Sequence, residues 1–180
     1  MRYVSTRDNS KEYSFEDVFV KGLADDGGLY VPKSLKKYST KELLELKNLN
    51  YNELSTEIIN LFSSDFISKE ELSSLIKKSY STFREKEVVR LSNVGEIKLL
   101  ELFHGPTLAF KDIALQFLGK LFDLFLEGTK KKLTIIGATS GDTGSAAIEA
   151  VKNNKNVDIF ILHPFKRVSE FQRRQMTTVL

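Results

Sequence analysis

Cysteine and tryptophan are absent from the 180 residues, histidine occurs twice and proline three times. Without cysteine there is no disulfide framework, no thiolate metal cluster and no cysteine nucleophile. The two histidines, His104 and His163, are too few for a histidine-based metal site, so no metal is expected. A surplus of one charge is also lacking. The 27 Lys+Arg against 24 Asp+Glu leave +3 at pH 7, too little for a dedicated nucleic-acid binder and enough for weak affinity toward anions at most. No run approaches the ~20 apolar residues that span a bilayer. Residues 1–8 are charged from the second position and contain no apolar core, so no signal peptide is visible. A cytoplasmic protein is expected, with neither nucleic acid nor membrane as partner and with its oligomeric state left open. What remains, 41% hydrophobic and 28% charged residues, suffices for a buried core.

The chain divides by texture near residue 88. Before it, residues 3–6 read as extended. A short helix follows, opened by a capping box of Ser14 and Asp17 and carrying Phe15, Val18 and Phe19 on its apolar side. The turn-rich Asp25-Asp26-Gly27-Gly28 leads into Leu29-Tyr30-Val31-Pro32. Residues 40–82 contain no Gly or Pro and read as two or three amphipathic helices, with Ser68 and Glu71 forming a second capping signature. After residue 88, strands at 97–103, 133–136 and 157–162 alternate with helices at 108–127, 143–153 and from about 168. That order predicts an α/β fold: a helical N-terminal module (1–87) followed by part of an open parallel sheet flanked by helices (88–180). The continuous apolar run Leu133-Thr134-Ile135-Ile136 is of the kind expected when both sheet faces are covered. The last helical pattern reaches residue 180 without a cap, and the sheet reads as unfinished within these residues.

Two constellations carry chemistry. The first, Phe103-His104-Gly105-Pro106-Thr107-Leu108-Ala109-Phe110-Lys111-Asp112, joins a strand end to a helix start, where ligands gather in open α/β sheets. Lys111 heads a stripe with Leu115, Leu118 and Phe122, while Asp112, Gln116, Gly119 and Asp123 form the polar line beside it. Burial and the positive helix end should both lower the amine's pKa, as a Schiff-base lysine requires. The alternative is an ammonium that snorkels to water past an apolar stem. The second constellation, Gly137-Ala138-Thr139-Ser140-Gly141-Asp142-Thr143-Gly144, is neither a Walker loop nor a dinucleotide fingerprint. Its hydroxyls and backbone amides suit a carboxylate better than a polyphosphate, which Asp142 would repel. Alternatively it is a tight turn in which Asp142 or Thr143 caps the next helix. Lys166, Arg167, Arg173 and Arg174, with Gln172 and Gln175, either meet an anionic substrate or form a solvated helix face. His104 either shapes the loop after it or is a hydrogen-bonded turn histidine.

Extended to residues 103–119 and 137–150, and taken with Tyr3-Val4-Ser5-Thr6-Arg7, with Leu23-Ala24-Asp25-Asp26-Gly27-Gly28-Leu29-Tyr30-Val31-Pro32 and with Arg167-Val168-Ser169 and Gln172-Arg173-Arg174-Gln175-Met176-Thr177-Thr178, these segments resemble the threonine synthases. Those are pyridoxal-phosphate-dependent enzymes of the tryptophan-synthase-β-like group, fold type II. Two departures stand out: Asp8 where a glycine is common, and Phe165-Lys166 where a smaller residue is usual before Arg167. The resemblance implies a lyase of threonine biosynthesis that converts O-phospho-L-homoserine and water to L-threonine and phosphate. It assigns Lys111 as the catalytic residue that carries pyridoxal 5′-phosphate and moves protons, with Phe110 beside the cofactor ring. Thr139, Ser140, Gly141, Asp142 and Thr143 would grip the substrate carboxylate. In this family the glycine-rich loop for the cofactor phosphate, and the partner of the pyridine nitrogen, come later in the chain than these residues extend. The 180 residues alone are therefore expected to be inactive. A non-catalytic, threonine-synthase-like binding or regulatory protein is the alternative.

Overall fold

The computed structural model describes residues 1–179, which form two compact units that divide between Ile76 and Lys77. No helix among them is long and apolar enough to cross a membrane.

In the first unit, β1 (Tyr3–Ser5) pairs antiparallel with β2 (Tyr30–Pro32), in the register Tyr3 to Pro32 and Ser5 to Tyr30. All three residues of β1 are buried. The Tyr3 hydroxyl donates to the Phe62 carbonyl at 2.8 Å, and burial pushes its pKa up to about 12. Between the strands lies α1 (Phe15–Lys21). Its N-terminus is closed as read: the Asp17 amide donates to Ser14 Oγ while the Ser14 amide donates to the Asp17 carboxylate. Phe15 and Phe19 stack with ring centroids 5.9 Å apart, and both lie against Phe66. Gly27 turns the chain back at φ +76°, and the Arg7 guanidinium donates to the Asp26 carbonyl beside it.

The helical stretch is three helices, α2 (Thr40–Leu46), α3 (Tyr51–Ser63) and α4 (Lys69–Tyr80), the last of which crosses the division between the units. Each begins on a reciprocal cap, Ser39 with Glu42, Asn50 with Glu53 and Ser68 with Glu71. Leu72 and Ile76, at i and i+4 of α4, are completely buried.

In the second unit, β5 (Leu133–Ala138) and β6 (Val157–Leu162) form a parallel pair in the register Leu133 to Val157 and Ala138 to Leu162. The chain crosses between them through α6 (Asp142–Val151), and α5 (Asp112–Leu126) precedes β5. Leu126, Val151 and Val157 make the core here, with Phe122, Phe125, Ile135 and Ile159 packed on it. The final helix is α7 (Glu170–Thr177), capped by Ser169, whose Oγ accepts from the Gln172 amide.

Three expectations change. The strand read at 97–103 does not join the parallel sheet: β4 (Ile97–Glu101) folds back antiparallel on β3 (Arg90–Val94). The turn that does this is Gly95-Glu96, with Gly95 at φ +62°, a conformation glycine adopts without strain. Among the described residues, the parallel pair is covered on one face only. Side chains alternate between half-buried and exposed along β5, and Ile136 is 73% exposed. Finally, the first turns of α5 bury their polar line, while Asp123 stays partly exposed and Leu121 and Leu126 are buried farther along. Asp112, Gln116 and Gly119 are buried, and the stripe of Lys111, Leu115, Leu118 and Phe122 is half-buried.

Gly119 explains that reversal. A Cβ there would land on the backbone carbonyl of Ala150 in α6, so the two helices meet where α5 has no side chain. Gly119→Ala gains about 1 kcal/mol of helix propensity but forces backbone apart inside a packed contact, typically 1–3 kcal/mol. A lowered urea midpoint for the second unit is expected, and an unchanged or raised midpoint would refute the close approach.

Candidate active site

The segment 105–111 is a turn, and the helix starts one residue after Lys111, which itself has helical dihedrals. The Leu108 amide donates to the Gly105 carbonyl and the Asp112 amide to the Ala109 carbonyl. Leu108 lies at φ +66°, a left-handed conformation that a branched side chain resists, so the turn must be held from outside. Asp112 holds it. Its carboxylate accepts from the Thr107 amide and from the Thr107 hydroxyl, both at 2.8 Å, and the side chain is 0% exposed. Burial raises its pKa, against the lowering effect of the Thr107 bonds. Gly105 belongs to the same arrangement, because a Cβ there would meet Asp112 Cβ and Oδ2 at 2.5 Å.

The second constellation lies at the carboxyl ends of β5 and β6. The Thr139 amide donates to the Leu162 carbonyl at 2.9 Å, and the Gly141 amide folds back to Thr139 Oγ1 at 3.2 Å. Gly141 sits at φ +153° and occupies the cap position of α6, where no side chain caps the helix. The capping alternative for Asp142 and Thr143 is therefore not what forms. Asp142 is the first helical residue, its Oδ1 accepting from the Thr143 amide at 2.9 Å. Thr139 and Ser140 line an open pocket of about 370 Å³ with Ala138, Leu162, His163 and Pro164.

The fold brings the two constellations together. Lys111 Nζ donates to Asp142 Oδ2 at 2.9 Å, across 31 residues of sequence, and lies 4.7 Å from the centroid of the Phe110 ring. Lys111 and Asp142 are 30% and 39% exposed, so the pair is open to solvent on one side. Phe110 presents much of its ring to solvent. The Lys111 hydrogen bond, above all, holds the Asp142 carboxyl below its usual range. A depressed carboxyl contributes stability that is present above the ordinary value of 3.8 and lost as pH falls through the lowered one. Carbon-detected NMR titration of Lys111→Met should show the Asp142 midpoint rising toward 3.8. An unmoved midpoint would refute the pairing.

The other candidates separate. Arg173 and Arg174 both donate to Glu170, whose carboxyl is held at about 2, so this part of the basic patch is a helix face whose charge is partly offset within one turn. Lys166 lies over the Phe165 ring. Gln175 points the other way and donates to the Thr107 carbonyl at 3.0 Å. His104 is buried with its Nε2 2.8 Å from Glu101 Oε2 and its carbonyl accepting from the Arg84 amide, which makes it a turn histidine. Sequence reading missed Asp112 and Gln175 as supports of the lysine turn. The spacing Thr107 to Asp112 was a visible signal for the first, whereas nothing local announces a partner 68 residues away for the second.

Residues 2–80 match a family model described as threonine synthase N terminus. Over 181 aligned residues the chain is 49% identical to a threonine synthase of Pseudomonas aeruginosa, covering 100% of this chain and 39% of that protein. A human protein named threonine synthase-like 2 is 43% identical over 182 residues, again covering 100% of this chain and 38% of the relative. Among solved structures, a pyridoxal-phosphate-bound threonine synthase from Brucella melitensis superposes with a TM-score of 0.90 at 43% identity, over 98% of this chain and 38% of its own. The chain thus spans less than two fifths of the length of these relatives. By sequence and by fold it belongs to the threonine synthase family, matching the N-terminal part of those proteins.

Proposed function

We propose that these residues supply the lysine and the carboxylate-binding loop of a threonine synthase, which converts O-phospho-L-homoserine and water to L-threonine and phosphate. The observation that carries the reading is the meeting of the Lys111 amine with the 139–143 loop at 2.9 Å, from two strand-to-helix junctions far apart in sequence. A structural snorkelling lysine would need no partner in that loop.

The residues present fit the carbonyl end of pyridoxal 5′-phosphate. An amine with part of its surface open stands beside the aromatic face of Phe110, at the edge of an apolar stripe. When bound, the cofactor supplies an electron sink for the carbanion formed at the substrate α-carbon. Lys111 would hold the cofactor and, once released from Asp142, carry protons to and from the substrate carbons as an amine. The hydroxyls of Thr139, Ser140 and Thr143 and the uncapped start of α6 would bind the substrate carboxylate. Asp142, kept ionised, would stay the counter-charge for whichever cation occupies that point, the lysine or the substrate amine.

The test is a chimera that joins these 180 residues to the remainder of the Pseudomonas aeruginosa relative. Release of phosphate from O-phospho-L-homoserine with equimolar threonine is expected, and none from the 180 residues alone. A chimera that folds and takes up cofactor without turnover would favour the second reading, a non-catalytic binding protein.

A further inference from the structure

We propose that α7 is a brace that sets the distance between Lys111 and the 139–143 loop, with Gln175 as a positioning residue. The inference rests on the reading of those two segments as halves of one site. Gln172, Gln175 and Met176 are spaced three and four apart and share one side of α7. Gln175 Nε2 donates to the Thr107 carbonyl, whose own amide and hydroxyl are bound to Asp112. The turn that carries Lys111 is therefore gripped from within by Asp112 and from outside by Gln175.

The same face of α7 touches the loop. A Cβ on Gly141 would meet the Gln172 amide group at 2.5–2.9 Å, and one on Gly144 would meet Met176 Sδ at 2.6 Å. Met176 is buried. The two glycines thus give α7 its seat against the loop. On its other side Glu170 gathers Arg173 and Arg174. A partly exposed ion pair such as Lys111–Asp142 contributes little by itself, so α7 adds to the packing of α5 on α6 at Gly119 in holding the two turns, one of which carries Leu108 at φ +66°.

The experiment uses the full chain and Gln175→Met, which keeps side-chain length and helix propensity but removes the donor. Amide hydrogen exchange is followed in 105–112, in 138–145 and in both parallel strands. In parallel, the chain is treated with pyridoxal 5′-phosphate and borohydride, and the adduct at Lys111 is compared with that at the exposed Lys41. Loss of one hydrogen bond should speed exchange in both 105–112 and 138–145 by about five- to tenfold, leave the strands unchanged and lower the Lys111-to-Lys41 adduct ratio severalfold. Faster exchange confined to 105–112, or no change, overturns the brace. If Gln175→Met loosens the whole unit, Met176→Ala decides instead by removing the side chain that seats α7 against Gly144. Faster exchange in 105–112 supports the brace, and unchanged exchange there overturns it. A wild-type Lys111 no more reactive than Lys41 sinks the reading of the lysine, while the exchange arm still decides the brace.

Discussion

Lys111→Ala in the chimera with the Pseudomonas aeruginosa relative is expected to lower turnover by at least about 10³-fold, because the substitution removes both an acid/base group and the attachment point of the cofactor. The fold should survive. Lys111 is 30% exposed, and its ion pair with Asp142 is of the partly exposed kind that contributes little to stability. Circular dichroism and the melting temperature should therefore match the parent protein while the near-ultraviolet and visible absorbance of bound cofactor disappears. Asp142→Asn is the informative companion. It removes the counter-charge but keeps the amine, so the absorbance should persist. Full turnover in Lys111→Ala would sink the assignment, and loss of folding would show that the lysine is structural.

Asp112→Ala is the second large effect, and it acts on stability. The side chain is completely buried and accepts two hydrogen bonds from Thr107, a residue that is itself buried. Truncation strands a buried amide and a buried hydroxyl, each costing about 1–3 kcal/mol, so a loss of about 3 kcal/mol is expected. For a unit of about 100 residues that corresponds to a fall of roughly 10 °C or more in melting temperature. The pH dependence has an unusual sign. The folded state raises the Asp112 pKa above the ordinary 3.8, so the native chain binds this proton more readily than the unfolded one. The stability contributed by Asp112 is fully present below 3.8 and declines as pH rises through the raised value. The difference between wild type and Asp112→Ala should therefore be larger at pH 4 than at pH 7, measured by urea unfolding at both. A difference that grows toward neutrality would contradict the burial argument.

The elements that could be read locally were those whose physics is local. Capping boxes at Ser14 and Ser68 involve residues three apart, and both formed. The equivalent pairs Ser39 with Glu42 and Asn50 with Glu53 carry the same signature and divide the helical stretch into three. The parallel strands were legible from continuous apolar runs. Ile97–Glu101 misled because an apolar run reports burial tendency and says nothing of partner, and the partner here was set by Gly95. Along the first turns of α5, hydropathy pointed the wrong way, since a glycine contact and a satisfied carboxylate outweighed the apolar stripe, whereas Leu121 and Leu126 farther along are buried as hydropathy expects. For the candidate site, both segments could be found from residue types and their place at strand ends. Their meeting at 2.9 Å could not, because it depends on how α5 and α6 pack through Gly119.

The half-covered parallel pair has a consequence for the order of events during synthesis. The segment β5–α6–β6 is contiguous, closes over thirty residues and brings its own crossover helix, so it can assemble early, on local contacts alone. Its open face, with Ile136, Phe160 and Leu162 turned to solvent, and its unpaired strand edges then form a ready template. A strand added to this pair would meet a preformed ladder and an apolar surface together. The same geometry sets the hazard of the intermediate: until that template is occupied, a chaperone or another nascent chain competes for it.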